Sequence, residues 1–209
     1  MRNYICFLII FLFTTSILAQ EKGSIVVDIY GSYIFSNRIN FDYGHATIGN
    51  GFEYGAGLEY FPIKSSSIEI KYLRTEASML VYKGNGDQIL LADDDKGAIN
   101  YILVGGNHYF DRGKKITPYF GGGIGIGIVE NPNNQNDTNF AWEVKGGVKI
   151  KTASIVSLSL QATLQSMFVN TNYGSYIGGY WVPNTGSNYS SSFQFGLGAI
   201  VGFNFKRNK

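Results

Sequence analysis

The stretch "PYFGGGIGIGIV", residues 118–129, sets Gly121, Gly123, Gly125 and Gly127 in alternation with Phe120, Ile124, Ile126 and Ile128. Three kinds of element share that look. A phosphate-cradling loop needs G-x-G-x-x-G between a strand and a helix, with an acidic residue about 20 positions further on. Here the glycines simply alternate with isoleucines, and no helical period follows. A membrane helix needs about 20 apolar residues, and the polar run 131–136 follows almost at once. What remains is a β-strand, bulky on its even face and nearly bare on its odd face.

The same period of two runs through most of the chain beyond residue 23. It predicts eight strands, over 24–35, 52–61, 67–76, 98–110, 118–129, 138–150, 154–168 and 192–205. In the second, Phe52, Tyr54, Ala56, Leu58 and Tyr60 oppose Glu53, Gly55, Gly57 and Glu59. In the sixth, Phe140, Trp142, Val144 and Val148 oppose Glu143, Lys145 and Lys149. The fourth is apolar on both faces, so its orientation is open. Connections alternate in length: 36–51, 77–97, 130–137 and 169–191 are long, whereas 62–66, 111–116 and 151–153 are short. Short turns at one end and long polar loops at the other describe an all-β protein, an eight-stranded antiparallel up-and-down transmembrane β-barrel.

Alternation alone does not say which face is inside. A soluble barrel would enclose its apolar face around a ligand. Three features favour the membrane. Glycines 55, 57, 121, 123, 125, 196, 198 and 202 lie on the polar face, where small residues make room in a tight interior. Aromatics cluster near both strand ends, Tyr33, Phe35, Phe52, Tyr54, Phe140 and Trp142 at one and Tyr60, Tyr109, Phe120, Phe203 and Phe205 at the other, as interfacial girdles do. The strands also reach the roughly 9–11 residues a tilted strand needs to cross a bilayer.

With 209 residues and no linker-like composition shift, the chain suits one domain, and 27 glycines with 15% aromatics suit turn-rich β-structure. A formal charge of +2 and the lack of a basic stripe argue against nucleic acid. Arg2, the apolar run 4–13 and Ile17-Leu18-Ala19 predict a signal peptide over residues 1–19, which makes 20–209 the barrel domain of an exported protein. Cys6, the only cysteine, lies inside that apolar run. Disulfides and cysteine-ligated metals are therefore not expected in the mature chain.

The signal peptide, "FEYGAGLEYF", "SIEIKY", "PYFGGGIGIG" and "FQFGLGAIVGFNF" resemble the small outer-membrane β-barrel domain family of the OmpX, OmpW and OmpA-barrel type. The resemblance spans the mature chain and implies residence in the bacterial outer membrane, contact with its lipid and lipopolysaccharide, and folding by the barrel-assembly machinery. Members often end on an aromatic that this machinery reads; here Phe205 precedes residues 206–209, so the signal would be internal.

The predicted lumen carries Asp28, Glu53, Glu59, Glu69, Lys71, Glu143, Lys145 and Lys149. An ion-paired plug is favoured over a charged conduit, because side chains can fill a barrel of this size and buried charges persist when paired. The charge network is expected to comprise Glu59, Glu69, Lys71, Glu143, Lys145 and Lys149, with Glu59 or Glu69 paired to Lys145 or Lys149. His45, placed in a loop, and His108 show no serine and acid at catalytic spacing, and Asp93, Asp94 and Asp95 lack calcium-loop spacing. Neither catalysis, a cofactor nor a metal is expected. The fourth long loop, rich in Tyr, Ser, Gly and Asn, could bind an extracellular ligand or surface partner. The alternative is a narrow OmpW-like channel for small or hydrophobic solutes.

Overall fold

The computed structural model describes residues 22–41, 44–83, 88–89, 96–110, 114–130, 137–152, 155–170, 175–177, 180–182 and 189–205. They form β1 (Ile25–Ile34), β2 (Asn37–Phe41), β3 (Gly44–Ile63), β4 (Ser66–Lys83), β5 (Gln88–Ile89), β6 (Lys96–Tyr109), β7 (Ile116–Glu130), β8 (Asp137–Lys151), β9 (Val156–Asn170), β10 (Ser175–Ile177), β11 (Tyr180–Val182) and β12 (Tyr189–Phe205).

Eight of these close on themselves. β1 pairs with β3, β3 with β4, β4 with β6, and β6 to β9 follow in order; β12 joins β9 to β1, with Ile25 opposite Phe205. All pairings are antiparallel, so sequence neighbours are sheet neighbours and the first and last strands seal the barrel. Closure leaves the barrel no free edge in a medium that could not hydrogen-bond one. β2 carries the line of β1 onward beside β3, β5 caps the end of β4, and β10 with β11 forms a separate small hairpin.

Two of the long connections are shorter than expected. β3 begins at Gly44 and β4 continues to Lys83, giving strands of 20 and 18 residues. Much of 36–51 and 77–97 is therefore ladder. In the upper part of β4 Met79, Leu80 and Val81 run consecutively, so no period of two marks the strand while the backbone pairing continues. His45 consequently lies in β3, opposite Tyr82 of β4 and Asn40 of β2, and not in a loop.

The faces are inverted relative to a water-soluble barrel. Leu58, Ile70, Ile124, Leu160 and Phe193 are 50–62% exposed, whereas Glu59, Lys71, Glu143, Lys145 and Gln165 are at most 2% exposed. Charged side chains are rarely buried to this degree unless paired, and an outward apolar band is what a bilayer requires. β6, whose orientation the pattern leaves open, turns Ile99, Tyr101, Leu103, Asn107 and Tyr109 inward and Ile102 and Val104 outward. Aromatics ring the long-loop end, where Phe35 stacks on Phe195 at 5.6 Å and Trp142 meets Phe193 edge-on at 6.1 Å. At the other end Tyr60, Phe110, Phe120 and Phe205 face out. Tyr109 is a correction: only 4% exposed, it packs inside with Val26, Phe61 and Tyr119, because it shares the parity of Asn107.

The glycines of β7 serve two purposes. A Cβ at Gly127 would lie 2.7 Å from Met167 Sδ, so this glycine does make room for a side chain from another part of the wall. A Cβ at Gly125 would instead overlap the carbonyl oxygen of Ile102 on β6, so its bareness lets two backbones approach. Gly125→Ala is expected to lower stability by about 1–3 kcal/mol, as overpacking does. Gly146→Ala, whose added Cβ would have 3.8 Å to its nearest neighbour, should leave it nearly unchanged. Urea midpoints of the refolded variants check the contrast.

Candidate functional site

The lumen is built in layers because inward residues of neighbouring strands fall at the same height. At the short-turn end, Val26, Phe61, Tyr109 and Tyr119 form an apolar and aromatic floor. Directly above it, Lys149 Nζ is 3.0 Å from Glu59 Oε2. Glu59 Oε1 accepts from Ser67 Oγ at 2.5 Å, Asn107 Nδ2 at 2.9 Å and Tyr109 OH at 2.5 Å. The Lys149 ammonium also lies 5.4 Å from the Tyr109 ring centre and 5.6 Å from that of Phe61, within cation-π range.

The next layer joins Lys145 to Glu69, whose other oxygen accepts from Tyr30 OH at 2.5 Å. Lys145 is also 3.5 Å from Glu143, and Glu143 is 2.7 Å from Lys71. Lys71 in turn sits 5.2 Å from the Tyr30 ring centre. These contacts bind β1, β4 and β8 through the middle of the barrel. Toward the long loops the character changes. Glu53 accepts from Thr75 Oγ1 at 2.9 Å and Gln165 Nε2 at 3.0 Å, and Tyr101 OH donates to Gln194 Oε1 at 3.0 Å. Ile34, Leu73, Ile99 and Leu103, each at most 1% exposed, fill the remaining cross-section.

All six residues expected in the charge network point inward and meet in this ladder. Asp28, 4% exposed, borders a cavity of about 10 Å³ with Glu59, Glu69, Lys145 and Lys149, room for about one water molecule. Such density suits the electrostatics, since a buried lysine is tolerated when a carboxylate pairs with it and further donors, here Ser67, Asn107 and Tyr109 on Glu59, satisfy that carboxylate. The pattern did not single out Tyr101, Asn107 and Tyr109 as lumen groups, because they belong to the strand with no polar face to read. The parity of Gly105 and Asn107 was the available signal.

The histidines part company. His108 faces outward and its Nδ1 lies 3.1 Å from Ser66 Oγ on β4, a pair that no local spacing announces because the two residues are 42 apart. The side chain of His45 and residues 93–95 lie outside the described residues, as does the segment 1–19. Among the described residues no three His, Cys, Asp or Glu side chains are grouped to hold a metal ion.

No protein-family model matches the chain, and no curated protein matches its sequence. Solved structures do. The chain is similar to neisserial surface protein A, with 17% identity and a TM-score of 0.56 over 88% of this chain and 100% of that one. It is similar to the outer membrane protein OprG of Pseudomonas aeruginosa, with 10% identity and a TM-score of 0.60 over 90% and 99%. The outer membrane protein AlkL, solved in lipid bilayers, gives 13% identity and a TM-score of 0.53 over 94% and 97%. At these identities the likeness concerns architecture, and the architecture is that of the small outer-membrane β-barrels.

Proposed function

We propose that the chain is a non-enzymatic surface protein of the bacterial outer membrane, exported by a signal peptide over residues 1–19, with a closed lumen and long loops that face outward and engage a ligand or surface partner. The observation that carries the reading is the ladder Lys149 with Glu59, Lys145 with Glu69 and Lys71 with Glu143, every member of it at most 3% exposed. A path for ions would have to break these pairs, and breaking a buried pair costs about 3–5 kcal/mol. In this reading lipopolysaccharide surrounds the long-loop end, the short turns lie in the periplasm, and the assembly machinery inserts the barrel.

The rival reading is a narrow conduit. It draws on buried polar atoms without a hydrogen-bond partner, Thr163 Oγ1, Gln165 Oε1 and Gln194 Nε2, along the β9 and β12 wall, which water or a small solute could satisfy. Single-channel recording of the refolded protein in a planar bilayer separates the two. A silent membrane containing folded barrel is the expected result. Reproducible openings that change with Lys145→Ala would replace the closed barrel by the conduit.

A further inference from the structure

The outer wall carries one feature that a plain lipid-facing surface does not need. Near the short-turn end, Ser66, Gly106, His108, Phe120, Gly122 and Val144 line a shallow, open groove of about 420 Å³. The groove arises because Gly106 of β6 and Gly122 of β7 are opposite each other on the outward face, between Ile68 of β4 and Val144 of β8. Ile70 and Val104 continue an exposed apolar surface toward the barrel's middle.

Its other end is polar. Ser66 Oγ and His108 Nδ1 are 3.1 Å apart, and the His108 ring meets Phe110 edge-on at 5.0 Å. Both residues lie at the strand ends beside the short turns, at the level of the lower aromatic ring. In the tautomer in which Ser66 donates to Nδ1, the imidazole proton sits on Nε2, a donor suited to an ester or phosphate oxygen. An apolar trough ending in such a donor at the interface has the two-part chemistry of a membrane lipid.

We propose that this groove is a binding site for one glycerophospholipid of the periplasmic leaflet, with an acyl chain between Ile68 and Val144 over the bare Gly106 and Gly122 positions, and its ester and phosphate region at His108 and Ser66. The inference rests on the reading above only in placing the short turns on the periplasmic side. Apolar fit supplies retention, and the polar pair fixes depth and selects headgroup-bearing lipid over free hydrocarbon.

Native mass spectrometry of the full barrel, released from bilayers containing phosphatidylethanolamine and lipopolysaccharide, tests it. Folding is confirmed in the same sample by heat-modifiable gel migration. The expected spectrum shows one retained phospholipid per barrel. Val144→Trp, which fills the trough from a lipid-facing position, should abolish retention, whereas Leu160→Trp on the exposed face of β9 should leave it unchanged. The double variant Ser66→Ala/His108→Ala should weaken phosphatidylethanolamine binding about 2- to 10-fold, the loss of one or two hydrogen bonds. Equal lipid retention by wild type and Val144→Trp would overturn the site, as would a second copy of the chain in place of lipid. Retention of lipopolysaccharide alone would overturn the choice of leaflet and lipid, while a folded, silent barrel in the conductance assay would still stand.

Discussion

Lys145→Ala is expected to destabilise the folded barrel by about 3–5 kcal/mol, because it leaves Glu69 and Glu143 charged in the lumen without the ammonium that joins them. The site offers little relief. Lys145 is 2% exposed, and the adjoining cavity has room for about one water. The loss should be visible as a lower urea midpoint for the shift between heat-modified and compact gel forms. Lys145→Met/Glu69→Leu should recover much of it, since removing both partners removes the unpaired charge, and an apolar replacement of a buried pair is often neutral. Thr75→Ala, which takes a single neutral donor from Glu53, should cost only about 1 kcal/mol. If Lys145→Ala proves as mild as Thr75→Ala, water reaches the ladder and the lumen is not closed at that level.

On strands with one polar face, the periodicity of two was enough to group the lumen residues on a single face, because a strand has only two faces and one slip reverses them all; on β6, apolar on both, it left Tyr101, Asn107 and Tyr109 unassigned. Glu59, Lys71 and Lys149 could then be placed inward once the polar-face glycines and the aromatic girdles had decided which face was the lumen. Partner choice was less legible. Lys145 and Glu69 are separated by 76 residues and sit on β8 and β4, which are not adjacent in the barrel, so their contact depends on side chains reaching across the lumen. Ser66 and His108 are directly paired across β4 and β6, in a ladder that runs without a shift from Ser66 opposite His108 to Ser78 opposite Lys96, yet nothing in either strand's own alternation states that register. The extended upper parts of β3 and β4 were hidden for another reason. Strand pairing there is carried by backbone hydrogen bonds, and the run Met79, Leu80 and Val81 puts apolar residues at both odd and even positions, so no alternation marks it.

The apolar exterior makes a second large effect. Ile124 is 62% exposed near the middle of β7, and its neighbours across the ladder on the outward face are Val104 and Trp142. In water, Ile124→Lys would remove an exposed apolar side chain at almost no cost. In a bilayer, the same substitution places an ammonium inside the apolar band and should cost up to about 2–4 kcal/mol. Ile116→Lys, at the first position of β7 and 54% exposed, should cost about 0–1 kcal/mol because the interface is within reach of a snorkelling lysine. The pair is best measured as urea midpoints in bilayers of two thicknesses. The depth dependence is the decisive quantity: a cost at position 124 that exceeds the cost at 116 and grows with bilayer thickness fits β7 as a membrane-crossing strand. Equal, small costs at both positions would mean that the exposed apolar band is covered by something other than lipid.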